Sequence, residues 1–297
     1  MTKPFLGVAL GGGGARATAH VGVLQELDNA GINIDLIAGV SSGAMIGAMY
    51  AYSQDGRWIE DRFRSVMTSE RLNRKVFRGL LDKNSTNSVI AKINHFIINH
   101  VVAILSLHKK SVVSNSYLMD IISELIPFKT FDDLRIPLRV ISTDIETGKN
   151  VIHNSGNIIE ALVQSCAIPG VMEPIEYQGS MIVDGGVGMP LPVPIVRSEC
   201  EYSLAIDIGA YDFERLENPN AKSIKTRSEI ITSNQLKKQL ADEADFVIRP
   251  KTMGLHWTSF ESGDLLFKEG RLAAKNSIPL LMKSLKEKKN NRSKKWV

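Results

Sequence analysis

Short apolar runs alternate with glycine turns and helical segments in the N-terminal part of the chain. Phe5–Leu10 has the length of one buried strand, and apolar side chains recur at helical spacing from Ala15 to about Asn29. A second apolar run, Ile32–Ala38, is followed after a tight turn by a helical segment from Ala44 to about Ser53. This order of strand, glycine loop, helix, strand, turn and helix predicts an α/β fold with a buried, largely parallel sheet.

Later apolar runs predict the remaining strands of the sheet. They lie at Leu138–Ser142, Met181–Val183, Ser203–Ile208 and Phe246–Arg249. The polar interval from about Tyr211 to Asp242 predicts a loop with a surface helix, and Leu265–Leu285 predicts a closing helix. Residues 54–115 hold basic and amphipathic segments without a clear strand, which predicts a helical excursion from the sheet. We expect these elements to form a three-layer α/β/α sandwich. Because no repeat or strong linker divides the chain, we expect this sandwich to be a single domain over residues 1–285.

Composition and charge narrow the functional classes. With 43% hydrophobic and 23% charged residues, the chain has the composition of an ordinary globular protein. A net charge of +4 gives no strong field for nucleic acids. Cys166 and Cys200 are too few for a disulfide framework, and without a secretory segment we expect a cytoplasmic protein. The sequence has no metal-binding motif, so we expect neither a metal nor another cofactor.

Two segments indicate contact with a membrane surface rather than a membrane span. The apolar stretch at 89–107 is interrupted by polar residues, which argues against a transmembrane helix and predicts an amphipathic one. The tail at 286–297 is basic, and the wider segment 283–297 contains Glu287 as its only acidic residue. A solvated, frayed end is one interpretation of this tail, and peripheral contact with anionic lipid headgroups is the other.

The pentapeptide Gly39-Val40-Ser41-Ser42-Gly43 fits the pattern G-x-S-x-G. In this pattern a serine occupies a sharp, strained strand-to-helix turn, and the flanking glycines let the backbone fold back closely. The pattern alone is weak, but here it joins an apolar strand to an apolar helix, as a nucleophile turn requires. A plain turn with helix-capping serines is the alternative. Ser41, at the centre, is the candidate nucleophile, and Gly39 and Gly43 shape its turn.

Four consecutive glycines leave the first predicted strand and open a helix. Their backbone N–H groups can converge on one anion, as in a nest at a helix N-terminus. The segment Gly12–Ala17 also fits a relaxed dinucleotide fingerprint, but no acidic residue ends the second strand to hold a ribose. The alternative anion is the oxyanion of an acyl-transfer intermediate. We prefer the oxyanion, because adjacent parallel strands would place this loop beside Ser41.

A serine nucleophile needs a proton acceptor, and the sequence offers six histidines as the usual candidates. None of them lies in a glycine-containing turn that would mark a dedicated site. Asp184 does, because it follows the apolar run Met181–Val183 and precedes Gly185 and Gly186. An Asp-Gly turn with no catalytic role is the alternative interpretation.

Three motifs in this order, GGGGARA, GVSSG and DGG, resemble the patatin-like phospholipases, a family that uses a Ser–Asp dyad without histidine. The segments Ser165–Gly170 and Ala244–Pro250 also resemble parts of that family, so the likeness covers most of the chain. Carried over by position, the resemblance implies Ser41 as nucleophile and Asp184 as base. The oxyanion hole that it implies consists of Gly12, Gly13, Gly14 and the adjacent Arg16.

The chain departs from this family at Ala17, where many members have glycine, and residues 54–115 match no part of it that we can identify. The resemblance implies a hydrolase for acyl esters of phospholipids or lysophospholipids that works through an acyl-enzyme and without a metal. Two alternatives stay open: a general carboxylesterase for small soluble esters, and a regulatory or scaffold protein that keeps the fold. The expected partners are a lipid or acyl-ester substrate and, through the basic tail, an anionic membrane.

Overall fold

The computed structural model describes residues 3–68 and 115–294, apart from positions 214 and 218. Its strands are β1 (Leu6–Leu10), β2 (Leu36–Val40), β3 (Leu138–Asp144), β4 (Asn150–His153), β5 (Ile175–Tyr177), β6 (Ser180–Asp184), β7 (Tyr202–Ile206) and β8 (Phe246–Ile248). Its helices are α1 (Thr18–Asn29), α2 (Ser42–Ser53), α3 (Gly56–Thr68), α4 (Asn115–Leu125), α5 (Ile158–Ser165), α6 (Val193–Glu199), α7 (Ala221–Asp242) and α8 (Gly263–Lys294). Single 3-10 turns lie at Gly14–Ala17, Phe131–Asp133, Gly185–Val187 and Phe260–Ser262.

Within the described residues, eight strands form one mixed sheet. Strand β1 pairs in parallel with β2 and β7, and the parallel part continues from β2 to β3 and from β7 to β8. Strands β4 and β6 pair antiparallel with β3, and β5 pairs antiparallel with β6. The expectation of a largely parallel central sheet is confirmed. Its antiparallel part includes β4 and β5, which the sequence pattern did not predict, because they have only 4 and 3 residues.

Helices cover both faces of the sheet, and the side chains of each strand alternate between the two cores. In β1, Leu6, Val8 and Leu10 join the core that α1, α2, α3, α4, α5 and α8 close. Ala9, between them, joins the opposite core beneath α6 and α7. Because all of β1 is buried on both faces, its residues form a continuous apolar run rather than an alternating one. The predicted three-layer α/β/α sandwich is confirmed.

Two predicted boundaries differ from the observed ones. Strand β2 begins at Leu36 rather than Ile32, because Gly31 turns the chain with φ 66° and residues 32–35 form the connection. The Asp35 carboxylate in this connection accepts the Phe5 and Leu6 N–H groups at 3.0 and 2.9 Å. The closing helix α8 extends to Lys294, beyond the expected end at Leu285. The domain boundary after residue 285 stays a prediction.

Only the two ends of the expected helical excursion at 54–115 belong to the described residues, and both contain helix, in α3 and α4. The amphipathic helix predicted at 89–107 lies outside the described residues. Among the helices that are described, none combines the length and apolar character needed to cross a bilayer.

Candidate active site

Two strands meet end to end beside β3 and bring Ser41 to Asp184. Strand β2 pairs with β3 up to Val40 opposite Ile141, and β6 pairs with β3 from Asp184 opposite Ser142. Both lie along the same edge of β3, because β4 pairs along its other edge at these residues. Ser41 follows Val40 directly, so the pairing register itself places Ser41 next to Asp184.

The turn at Ser41 has a strained backbone. Ser41 adopts φ 54° and ψ −131°, a conformation that residues with a side chain rarely adopt and that costs about 1–3 kcal/mol. A Cβ on Gly39 would lie 2.6 Å from the Ala44 Cα, and one on Gly43 would lie 2.5 Å from the Leu10 carbonyl oxygen. Only glycine fits both flanking positions, so the structure accounts for the G-x-S-x-G spacing.

A second serine holds this turn from behind. The Ser41 backbone N–H donates to the Ser165 hydroxyl oxygen at 2.8 Å, and that hydroxyl donates to the Ile141 carbonyl oxygen at 2.6 Å. Ser165 is fully buried at the end of α5, whereas Ser41 is 8% exposed. These bonds fix the strained serine to strand β3 and so keep its side chain at the edge of the sheet.

Asp184 is 6% exposed, and its carboxylate lies close enough to the Ser41 hydroxyl for that group to lower its pKa. Its carboxylate also accepts the Gly186 N–H at 2.7 Å. Burial raises the pKa of Asp184 to about 6, against the opposing effects of the Ser41 hydroxyl, the Gly186 N–H and the Lys237 charge. A carboxylate with this pKa is ionised at neutral pH and is a stronger base than a solvated aspartate. A Cβ on Gly185 would lie 2.2 Å from the Ile141 carbonyl oxygen, so this turn also requires glycine.

A buried cysteine adjoins both side chains. Burial, and then the Asp184 charge, raise the pKa of the Cys166 thiol well above its usual range, while a hydrogen bond with Ser41 opposes the shift. A thiol in this state stays protonated at neutral pH and is a poor nucleophile. Ser41 is therefore the better candidate nucleophile of the two.

The glycine loop lies against the serine turn, as expected from the pairing of Leu10 with Gly39 in adjacent parallel strands. A Cβ on Gly12 would lie 3.2 Å from the Ser41 Cβ. The Gly12 N–H is directed away from the turn and donates to the Pro190 carbonyl oxygen at 3.2 Å. The Gly13 N–H faces the turn and donates to the Ser42 hydroxyl oxygen at 3.2 Å. Gly13 therefore has the better-placed amide for an anion beside Ser41.

Gly14 and Arg16, the other two residues predicted for the oxyanion hole, contact the segment that precedes α8. Gly14 has φ 58°, and a Cβ there would lie 2.3 Å from the Trp257 carbonyl oxygen. The Arg16 guanidinium donates to the carbonyl oxygens of Ile208 and Leu255 at 3.1 and 2.9 Å. Burial lowers the pKa of Arg16 to about 10, and the Asp207 charge opposes this. Arg16 thus ties the glycine loop to the segments that follow β7 and precede α8, and its bonds go to carbonyls rather than to the Ser41–Asp184 pair.

The described histidines bond elsewhere. His20 is fully buried and its Nε2 lies 2.8 Å from the Gly11 carbonyl oxygen, while burial lowers its pKa to about 4. His153 Nε2 lies 2.7 Å from the Ser142 hydroxyl, and His256 Nδ1 lies 2.8 Å from the Thr258 hydroxyl. The other three histidines lie outside the described residues.

Lys237 lies behind the glycine loop and was not predicted from the sequence. Its side chain is 3% exposed, and its Nζ donates to the Gly12 carbonyl oxygen at 2.8 Å. In sequence it belongs to a helix with polar residues on every face. The signal that could have indicated its burial is its helical spacing from Asn234, Leu240 and Ala241, which are buried on the same face.

A surface cavity of about 550 Å³ is not this site. It is lined by residues such as Asp35 and Pro137, which precede β2 and β3, whereas Ser41 follows the end of β2. A concave pocket is the usual first place to look for a ligand. This pocket lies at the N-terminal ends of β2 and β3, whereas the serine turn lies at the C-terminal end of β2.

The chain is similar to several known proteins. The family model for patatin-like phospholipase matches residues 8–197. The uncharacterized NTE family protein Rv1063c of Mycobacterium tuberculosis is 30% identical over 208 residues, which make up 70% of this chain and 50% of that protein. Patatin-like phospholipase domain-containing protein 6 of Homo sapiens is 28% identical over 215 residues, 71% of this chain and 14% of that protein. This chain therefore spans half or less of the length of these relatives.

A solved structure shares the fold. Human GIVD cytosolic phospholipase A2 aligns with a TM-score of 0.54 and 10% sequence identity, over 96% of this chain and 60% of that chain. At this identity the likeness shows a common architecture, and the residues of the site have to be argued from their own geometry.

Proposed function

The chain belongs to the patatin-like phospholipase family, and we propose that it is a lipid acyl hydrolase with Ser41 as nucleophile and Asp184 as general base. The observation that supports this most is the placement of these two buried residues next to each other, with Ser41 at a strained strand-to-helix turn. Nucleophile, base and a facing backbone amide are the parts that acyl transfer needs.

The first half-reaction forms an ester between the enzyme and the acyl group. Ser41 Oγ attacks the carbonyl carbon of the substrate while Asp184 takes the hydroxyl proton. The carbonyl oxygen becomes an oxyanion, which the Gly13 N–H stabilises in place of its present acceptor, the Ser42 hydroxyl. When the intermediate collapses, the bond to the alcohol breaks, and the leaving oxygen takes the proton from Asp184.

The second half-reaction regenerates the serine. Asp184 takes a proton from water, the resulting hydroxide attacks the acyl carbon, and the same amide stabilises the second oxyanion. Collapse breaks the bond to Ser41 Oγ, which recovers a proton from Asp184. The fatty acid is released, and neither step needs a histidine.

The family and the name of the human relative support a lipid ester as substrate. We propose phospholipids or lysophospholipids. A general carboxylesterase would use the same dyad with a different acyl pocket, and a scaffold protein would keep the fold without turnover. The presence of Ser41, Asp184 and the glycine loop at one site favours an enzyme over a scaffold.

Hydrolysis of a substrate panel tests this proposal. Purified protein is incubated with phospholipid vesicles, lysophospholipid micelles and short-chain p-nitrophenyl esters, with Ser41→Ala as the matched control. We expect fatty acid release from at least one lipid class by the wild type alone. Turnover of the short esters only would indicate the carboxylesterase, and no Ser41-dependent turnover of any ester would indicate the scaffold.

A further inference from the structure

Lys237 connects helix α7 to the glycine loop from the side opposite Ser41. Four residues of α7 turn inward and are buried: Asn234, Lys237, Leu240 and Ala241. Asn234, one turn before Lys237, donates its side-chain amide to the Ala210 carbonyl oxygen and so anchors the helix. This face places the Lys237 ammonium group 2.8 Å from the Gly12 carbonyl oxygen.

We propose that Lys237 is a positioning residue of the oxyanion loop, whose ammonium group orients and polarises the Gly12–Gly13 peptide so that the Gly13 N–H faces the substrate oxyanion. This inference rests on the proposed hydrolase function. The Gly12 carbonyl and the Gly13 N–H belong to one planar peptide and point in opposite directions. A cation bound to the oxygen therefore fixes the direction of the N–H and strengthens it as a donor.

The N–H side of the same peptide faces the serine turn. The Gly13 N–H donates to the Ser42 hydroxyl at 3.2 Å, and Gly12 lies in close contact with Ser41. One peptide thus has Lys237 at its oxygen and the nucleophile turn at its nitrogen. Any change in the charge of Lys237 acts on the donor that faces the reacting carbonyl.

The consecutive residues Gly12 and Gly13 need such a restraint. Because glycine tolerates most backbone conformations, the peptide between Gly12 and Gly13 can rotate at little steric cost. A rotated peptide would direct its carbonyl oxygen toward the developing oxyanion and repel it. The bond from Lys237 favours the orientation that presents the N–H. A buried charge that served packing alone could be replaced by an apolar side chain of similar size.

The charges around Lys237 define the pH range in which this arrangement operates. Burial and the Arg16 charge lower the pKa of Lys237 to about 8, while Asp207 and Asp184 oppose this. Arg16 keeps its charge across that range, with a pKa of about 10, and His20 is neutral above its pKa of about 4. Between about pH 6 and pH 8, Asp184 is ionised and Lys237 is charged. Turnover should therefore rise near pH 6 and fall near pH 8.

Substitution of Lys237 and of its exposed neighbour Lys238 tests the proposal. Lys237→Met removes the charge and the donor, Lys237→Gln keeps an N–H donor without the charge, and Lys238→Met is the matched control on the same helix. Steady-state hydrolysis of a p-nitrophenyl ester is measured from pH 5 to pH 9.5, with folding checked by circular dichroism. We expect Lys237→Met to lower kcat by about 10- to 100-fold with little change in KM. Lys237→Gln should lose less, Lys238→Met should match the wild type, and the fall near pH 8 should be absent from Lys237→Met.

The proposal is overturned if Lys237→Met folds, has the kcat of the wild type and shows the same fall in kcat near pH 8. If Lys237→Met does not fold, Lys237→Gln and the wild-type profile decide, and a wild-type kcat that stays flat from pH 7 to pH 9.5 overturns it. Failure of the underlying function looks different, because the wild type would then show no Ser41-dependent hydrolysis at any pH.

Discussion

Two adjacent serines occupy the same turn but have different surroundings. Ser41 has the strained backbone and lies next to Asp184, whereas Ser42 begins helix α2 and its hydroxyl accepts the Gly13 N–H. This difference favours different roles for the two hydroxyls. The Ser41 hydroxyl lies beside the proposed base, and the Ser42 hydroxyl accepts the N–H that the proposed reaction needs.

Covalent labelling separates these roles. Ser41→Ala should abolish labelling by a fluorophosphonate, which reacts with an activated serine. Ser42→Ala should keep at least part of it, because the nucleophile and its base stay in place. Labelling is followed by gel fluorescence of purified variants, with heat-denatured wild type as the background. Labelled Ser41→Ala protein, or a Ser42→Ala variant at background, would show that the nucleophile is assigned to the wrong serine.

Asp184 should be needed for turnover and no histidine should be. Asp184→Asn is nearly isosteric but is a far weaker base, so we expect kcat to fall by about a hundredfold or more. His20→Gln, His153→Gln and His256→Gln, measured singly on the same ester, should each retain most of the activity. A histidine variant that folds normally and loses as much activity as Asp184→Asn would contradict the dyad.

Asp184→Asn should increase the stability of the folded protein at neutral pH. The folded-state pKa of Asp184 is raised from 3.8 to about 6, so the ionised form is disfavoured in the folded protein. The shift corresponds to about 3 kcal/mol, at roughly 1.4 kcal/mol for each pH unit. This destabilisation is absent below pH 3.8, grows as the pH rises to 6, and is complete above it.

Denaturant unfolding at pH 4 and at pH 7.5 measures this effect. Asp184→Asn should have a higher free energy of unfolding than the wild type at pH 7.5, by up to about 3 kcal/mol, and nearly the same value at pH 4. An equal difference between the two proteins at both pH values would mean that ionisation of Asp184 does not oppose folding.

The secondary-structure elements that form the N-terminal half of the candidate site could be predicted from the sequence. The strand, glycine loop, helix, strand and serine turn follow one another directly, and each is marked by local signals such as apolar runs and glycines. The position of Asp184 was also predicted, because an Asp-Gly turn closes a short apolar run. The reason that it meets Ser41 was not predictable, since β6 is antiparallel and shares an edge of β3 with β2.

Lys237 could not be assigned for a related reason. A buried lysine and an exposed one look alike in sequence, and α7 carries polar residues on every face. Its burial depends on how α7 packs against the loops that follow β1 and β7, which is a tertiary property. The same holds for Ser165, whose hydroxyl contacts Ser41 and Ile141 from a helix far away in sequence.

Close packing between the serine turn and the end of β1 makes Gly43 a sensitive position. A Cβ there would lie 2.5 and 2.6 Å from the carbonyl oxygens of Leu10 and Gly11, and backbone atoms cannot move aside easily. Gly43→Ala should therefore lower the free energy of unfolding by about 1–3 kcal/mol. Gly263→Ala is the control, because Gly263 also lies in the first turn of a helix, but a Cβ added to it would meet no described atom within 4 Å. Thermal unfolding compares the two, and equal midpoints would contradict the steric argument.

The basic C-terminal segment is partly built into the fold. Helix α8 continues to Lys294, Lys288 donates to the Asp245 carboxylate at 3.0 Å, and Ser284 accepts the Tyr202 hydroxyl at 2.6 Å. Truncation of this segment would therefore disturb the core as well as the charge. Lys283 and Lys286 are exposed, which makes them better positions at which to test a role in membrane contact.

We predict that Lys283 and Lys286 contribute to binding of anionic membranes. The double variant Lys283→Gln/Lys286→Gln should bind phosphatidylserine-containing vesicles about 10- to 30-fold more weakly at low salt, since each lysine near the surface contributes about 1 kcal/mol. At about 0.5 M salt the difference should disappear, because screening shortens the reach of these charges. Lys129→Gln/Lys238→Gln removes the same charge from two other exposed positions and should have a smaller effect. Co-sedimentation with vesicles measures all three proteins. Equal binding of all three at low salt would show that this end of α8 is merely solvated.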